Sequence, residues 1–166
     1  RQNNAVINPN DFCQLAIEGE MAVKVGEDGQ IEAAFPIIEL HNFIFRAEQK
    51  TLVELIANNG INAGIILPEM DWQNSTKYLY NDAQLTLFIN GLDIGTTGLW
   101  PNGDGPEASV TWLKNNLEDC GIELEPGSIV LAGTALGLYP VKNGDEVTVH
   151  IDEQPLVSCT VKHSCT

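Results

Sequence analysis

The stretch "AIEGEMAVKVG", residues 16 to 26, decides the reading of the fold, because it sets two glutamates, Glu18 and Glu20, inside a run that otherwise reads as a buried strand. In a strand successive side chains alternate between faces, so positions i and i+2 point the same way and stand roughly 6.6 Å apart along it. Both carboxylates therefore share one face. Ala16, Met21 and Val23 make the flanks apolar, and an isolated carboxylate in such surroundings is costly unless something compensates it. Either this face looks into water, or a cation sits between the two acids.

Outward from this strand, predicted over residues 15 to 25, "GEDG" at 26 to 29 reads as a turn. "AAFPIIELHNFIFR" follows, with Pro36 at the start of an apolar run from Ile37 to Phe45 that predicts a second strand, interrupted by Glu39. "EQKTLVELIANNG" predicts a short helix with an Asn-Asn-Gly stop, and "INAGIILP" a buried strand. In "QLTLFINGLDIGTT", residues 84 to 97, two β-rich runs are joined by Asn90-Gly91, the pair that a tight type I′ hairpin turn demands. "GPEASVTWLKNNLEDCG" predicts a helix with Pro106 in its first turn, an apolar stripe through Val110, Leu113 and Leu117, and Gly121 as its cap. Three strands, 128 to 133, 146 to 152 and 156 to 162, close the chain around turns at 143 to 145 and 153 to 155. Strands outnumber helices and do not alternate regularly with them, so the expected class is mostly β with a few helices, α+β. The polar start "RQNNAVINPN" reads as a loop or a cut end, giving an N-terminal loop over residues 1 to 14 and a single domain over 15 to 166.

Composition narrows the function classes. Twenty-three acids against eight bases give a net charge of -15, which repels nucleic acid phosphates and anionic headgroups, so neither nucleic acid nor a membrane is an expected partner. No apolar run approaches the ~20 residues of a membrane-spanning helix. Neither a signal peptide nor an initiating Met opens the sequence, which reads as a processed or truncated chain. The four cysteines, Cys13, Cys120, Cys159 and Cys165, show no CxxC pair and no His spacing suited to zinc. Their even number suits two disulfides in an oxidising compartment, and Asn74-Ser75-Thr76 is a glycosylation sequon in the same spirit. Both favour a secreted protein over the alternative, a cytoplasmic one with free thiols and a chance sequon.

The chemistry rests on three acids in runs expected to be buried: Glu18, Glu20 and Glu39. A hard divalent cation such as Mg²⁺ needs oxygen ligands in an octahedron and keeps positions open for water or substrate. Three carboxylates from neighbouring strands would supply one triangular face of it. The remaining positions could take a bidentate 2-oxo acid and a water, with the metal as Lewis acid on the carbonyl. By pattern alone, an E-x-E in a strand is more often a solvated stripe than a metal site.

The order of the motifs resembles the fumarylacetoacetate hydrolase superfamily, and within it the branch of 2-keto-4-pentenoate hydratases and 2-oxo-dienoate hydratase/decarboxylase enzymes. That branch has E-x-E in a strand and then a P-x-x-E segment, which Pro36-Ile37-Ile38-Glu39 matches. "IANNGINAGIILP" resembles its A-D-N-x-x-S-x-G segment, with Ala57, Asn59 and Gly64 matching and Asn58 where Asp is usual. "LTLFINGLDIGTTG" looks like its L-N-G hairpin. "WLKNNLEDCGIELEPGSIVLAGTALGLYPVKNGDEVTV" resembles its later blocks, including Gly127, Gly133, Thr134, Pro140, Val141, Gly144 and Asp145. The resemblance implies a mixed β-sandwich roll, with Mg²⁺ or Mn²⁺ held by Glu18, Glu20 and Glu39. It also implies a small 2-oxo acid or 2-hydroxy-dienoate substrate beside Asn58, Asn59, Gly60, Gly133 and Thr134, and a homo-oligomer is common in the family.

One departure stands out. Hydratases of this branch carry a longer segment before the E-x-E strand and draw a catalytic Lys and Asp from it, whereas this sequence begins shortly before Glu18. The segment was cleaved or left out, another chain supplies it, or catalysis has been lost. Catalytic groups are therefore unassigned, and two functions compete: a divalent-metal-dependent, hydratase-like lyase, and a noncatalytic secreted acidic binding or structural domain. Beyond the acids, His41 shares a strand face with Glu39 and could be a ligand or a nearby base. Asn58 and Asn59 could bind substrate or cap the helix that they end. The other two histidines, the three tryptophans and Asp145 read as packing or turn residues, with Trp100 alone placed where it could border a pocket.

Overall fold

A strand that is apolar along one whole face needs a second layer over it, and the 16 to 26 run is such a strand, with Ile17, Met21, Val23 and Val25 on that face and Glu18, Glu20 and Lys24 on the other. In the computed structural model, which describes residues 1–45, 51–69, 71–72, 75–80, 82–101 and 105–164, the elements in chain order are β1 (Ala5–Ile7), β2 (Leu15–Val25), β3 (Ile31–Asn42), α1 (Leu52–Ala57), β4 (Asn62–Ile66), β5 (Gln84–Ile89), β6 (Leu92–Gly98), α2 (Gly105–Asp119), β7 (Ile129–Leu131), β8 (Tyr139–Pro140), β9 (Glu146–Ile151) and β10 (Gln154–Val161). They form two sheets, one ordered β4-β3-β2-β7 with β8 also beside β2, the other β1-β10-β9-β5-β6. This is the expected class, two layers of strands with two helices.

The core between the sheets takes alternate side chains of β2, Ile17, Met21, Val23 and Val25. They meet Leu85 and Leu87 of β5, Val147 and Val149 of β9, and Val157 and Val161 of β10. Ala22, Ala33, Phe35 and Ile37 belong to a second, smaller apolar cluster on the other face of β2 and β3, with the Trp72 ring tilted against Phe35 at 4.6 Å between centroids. Gly19, between the two glutamates, lies on the core face. A Cβ there would stand 2.9 Å from Val149 Cγ2 and 3.3 Å from Leu87 Cδ1. The central residue of E-x-E is therefore what lets the two sheets close on each other directly beneath the acids.

The turn chemistry behaves as read. Asn90 and Gly91 both have positive φ, 54° and 74°, so the hairpin between β5 and β6 has the twist a type I′ turn gives. The Asn90 side chain donates to Asp145 Oδ1 at 2.9 Å, and Asp145 Oδ2 accepts from the Lys142 backbone at 2.8 Å. This buried turn carboxylate thus ties one hairpin to the turn before β9. Helix α1 starts in a capping box, Thr51 Oγ1 accepting from Glu54 N and Glu54 Oε2 from Thr51 N.

Three readings need correction. Strand β3 begins at Ile31, so Pro36 lies inside it and not at its start. The ring is tolerated because Ala34, two residues earlier, donates its N–H to Ser75 O, away from β2. Pro36 has its nitrogen on that same edge, and β4 pairs only from Ile38 onward, so no ladder bond is lost. The polar start is not all loop, since β1 pairs in parallel with β10, Ala5 opposite Cys159, and Ile7 is fully buried. The buried strand expected at "INAGIILP" is the edge strand β4, with only Ile66 fully enclosed.

Disulfides are also corrected: Cys13, Cys120 and Cys159 are free thiols. Cys159 faces the core at 2% exposure, where it acts as a small apolar residue. Cys165 and the sequon residue Asn74 lie outside the described residues.

Two outcomes follow. Gly19→Val should destabilise the chain by about 1 to 3 kcal/mol through overpacking, read as a lower denaturant midpoint at unchanged slope. Burial pushes the Cys159 thiol up to about 12, so native alkylation followed by peptide mapping should label Cys13 and Cys120 and spare Cys159 until the chain unfolds.

Candidate metal centre

The register of β2 on β3 builds the site. Glu18 pairs directly opposite Glu39, Ala16 opposite His41, and Glu20 opposite Ile37. Because partners across a ladder point to the same face, Glu18, Glu20, Glu39 and His41 project together, away from the inter-sheet core. They line a cavity of about 710 Å³ with Asn59, Gly60, Asn62, Gly64, Ile65, Ile129, Leu131 and Gly133.

The polar groups are tightly set. His41 Nε2 stands 3.3 Å from Glu18 Oε2 and 3.3 Å from Glu39 Oε2, shared between them and squarely donated to neither. Asn62, opposite His41 in β4, donates its Nδ2 to Glu39 Oε1 at 2.6 Å and accepts from the Gly64 amide at 3.0 Å. Glu20 is 1% exposed, and its Oε1 has no hydrogen-bond partner.

This crowding moves protons. Burial first, then the charges of Glu39 and Glu18, push the Glu20 carboxyl up to about 8, against a smaller opposing pull from His41. Burial works to discharge His41, but its close contacts with Glu18 and Glu39 outweigh that and raise it to about 9. At neutral pH the cluster therefore holds a proton on Glu20 and a second charge-balancing proton on His41. Single ligand atoms of Glu18, Glu39 and His41 all lie within 4.8 Å of one another, a spacing open to one ion. Oxygen donors suit a hard divalent cation, and the orphaned buried Glu20 oxygen beside them is an acceptor that a cation would satisfy. The donor set fits such an ion.

Not every residue singled out in the sequence converges. Glu18, Glu20, Glu39, His41, Asn59, Gly60 and Gly133 line the cavity. Asn58 does not: its side chain donates to Glu54 O at 2.8 Å and closes α1. Thr134 accepts from the Leu136 amide at 3.1 Å and is not among the lining residues. Trp100 donates to Tyr78 O and packs on the core. Asn62 was the miss, a polar residue whose role appears only once β4 is set in register beside His41. Asn59, Gly60 and Ile61 have φ of 51°, 62° and 60° in succession. That is strained for a β-branched isoleucine and places irregular backbone at the rim.

No family model matches the sequence. A 2-oxo-hept-4-ene-1,7-dioate hydratase of Escherichia coli is 26% identical over 117 residues, which is 66% of this chain and 41% of that protein. Among solved structures, 4-oxalocrotonate decarboxylase from Pseudomonas putida G7, complexed with magnesium and adipate, superposes with a TM-score of 0.83 at 18% identity. The match covers 96% of this chain and 65% of the decarboxylase. The chain has the fumarylacetoacetate hydrolase fold. Fumarylpyruvate hydrolase from Pseudomonas aeruginosa, complexed with Mn²⁺ and pyruvate, shares that fold at a TM-score of 0.67 and 14% identity, covering 98% of this chain and 72% of the hydrolase. The chain thus spans less than two thirds of the hydratase and the decarboxylase, and the resemblance read from its motifs holds in both sequence and fold.

The sign of the pH response follows from the two upward shifts. The folded chain binds more protons than the unfolded chain between about 4.5 and 8 for Glu20 and between about 6.5 and 9 for His41, so stability falls as pH rises through these windows. In chelator, the melting temperature should drop between pH 5 and 9, and Glu20→Gln should flatten the lower part of that slope.

Proposed function

We propose that this chain is the metal-holding domain of a hydratase-like lyase acting on a small 2-oxo acid or 2-hydroxy-dienoate. In this reading Glu18, Glu20 and Glu39 hold Mg²⁺ or Mn²⁺. The observation that carries it is the unpartnered, fully buried Glu20 oxygen beside two further carboxylates. A bound divalent cation would supply Lewis acidity to the 2-oxo group of a chelated substrate.

The chain's own residues do the positioning. Asn62 fixes one oxygen of Glu39 through its 2.6 Å bond, leaving the other directed at His41. His41 offsets the charge of Glu18 and Glu39, so the acids can stay close before an ion arrives. Releasing the Glu20 proton frees its carboxylate to bind, which makes affinity rise with pH. The left-handed backbone at Asn59 and Gly60 and the loop at Gly133 border the space left for substrate.

A second reading, an ion-binding domain without turnover, is favoured by one observation. The titratable groups among the described lining residues are the three glutamates and His41, with no lysine to move a substrate proton. Calorimetric titration of Mn²⁺ at pH 8 tests the shared premise. Glu20→Gln and Glu18→Gln should each weaken binding by tenfold or more, and equal affinity in all three proteins would remove the metal site. Loss of 2-hydroxy-dienoate absorbance with Mn²⁺ present then separates the lyase from the ion-binding domain.

A further inference from the structure

His41 lies on β3, the strand flanked by β2 and β4, with Ala16 opposite it on one side and Asn62 on the other. It is 5% exposed and lines the acid cavity. Its neighbour across β2 carries only a methyl, so the ring has room to stand beside Glu18. Nε2 lies 3.3 Å from Glu18 Oε2 and 3.3 Å from Glu39 Oε2. Donors at neighbouring corners of an octahedron with bonds of about 2.1 Å stand about 3.0 Å apart, so Nε2 is already near the spacing from each acid that one shared ion would impose. Among the described residues neither ring nitrogen has a hydrogen-bond partner, although both are buried. A buried polar atom in that condition is costly, and turning Nε2 from proton carrier to ligand would break no hydrogen bond. The other histidines stand apart: the His150 ring packs on Phe88 in the second sheet, and His163 lies past the end of β10.

Resting on the metal-dependent reading above, we propose that His41 Nε2 is a further ligand of the ion held by Glu18, Glu20 and Glu39, and that this nitrogen makes the site prefer Mn²⁺ to Mg²⁺. The three acids alone would form an all-oxygen cage. His41, two residues past Glu39 on the same strand face, changes its chemistry. Mg²⁺ takes oxygen donors and gives up its waters reluctantly, whereas first-row transition ions accept imidazole nitrogen. A ligating imidazole is neutral, so as the ion enters, the proton that His41 shares with the acids leaves to solvent.

The test is pulsed electron paramagnetic resonance of Mn²⁺ bound to the full chain at pH 8, with calorimetry beside it. The spectrum should show ¹⁴N modulation from a directly bound ring nitrogen, replaced by the ¹⁵N pattern in protein grown on ring-labelled ¹⁵N-histidine. This readout needs no variant to fold. His41→Gln, which keeps the reach of Nε2 but has no ring nitrogen, should abolish the modulation and weaken Mn²⁺ binding by about tenfold or more. It should also lower the ratio of Mn²⁺ to Mg²⁺ affinity. A His41 that only balances charge predicts the opposite sign, because removing an imidazolium leaves the acids freer to take either ion. Bound Mn²⁺ without a histidine nitrogen signal, or His41→Gln binding Mn²⁺ as tightly as the wild type or more so, would overturn this inference alone. A wild-type chain that binds no Mn²⁺, or binding undiminished by both Glu18→Gln and Glu20→Gln, would overturn the metal reading together with it.

Discussion

The pairing of β2 with β3 is the constraint on which the rest depends. It sets Glu18 against Glu39 and brings His41 to the same face. A slip of one residue would send every one of these side chains into the inter-sheet core and bring Ile17 and Met21 out. What prevents the slip is that both faces of these strands are committed, one to the main core and one to the small cluster around Phe35. The site is precise because moving it would expose apolar surface on one side and bury charge on the other.

Much of this was legible in the sequence, for a physical reason in each case. The strand at 15 to 25 and the Asn90-Gly91 hairpin follow from alternation and from two residues that tolerate positive φ. The three glutamates drew notice because charge in an apolar run demands an explanation. What escaped notice depends on pairing. Pro36 looked like a strand start because its burden is felt only where an N–H would be bonded, and that edge is unpaired here. Ala5–Ile7 is too short to show a period, and only its parallel partner β10 makes it a strand. Asn62 is one of many asparagines until β4 lies beside His41. Cys159 looked like a disulfide half because an even cysteine count carries no information about facing, and its inward position on β10 settles it as a core residue.

Electrostatically, the site holds like charges together by protonation. Glu20, pushed up first by burial and then by its acidic neighbours, and His41, raised by Glu18 and Glu39 against its burial, carry the balancing protons. Under the proposed function such a cluster would exchange protons for a cation with little rearrangement, because its backbone is two paired strands and its floor is closed by Gly19 against Val149 and Leu87. Geometry that is already correct before the ligand arrives need not be created by it.

The short first strand has a consequence for how the chain meets its neighbours. By lying along β10, β1 occupies backbone donors and acceptors that an eight-residue strand would otherwise present at the margin of its sheet. Uncovered margins of that kind recruit other chains into intermolecular ladders and drive aggregation. Three residues near the start of the sequence thereby serve as a guard rail for colloidal behaviour, well away from the chemistry of the acids.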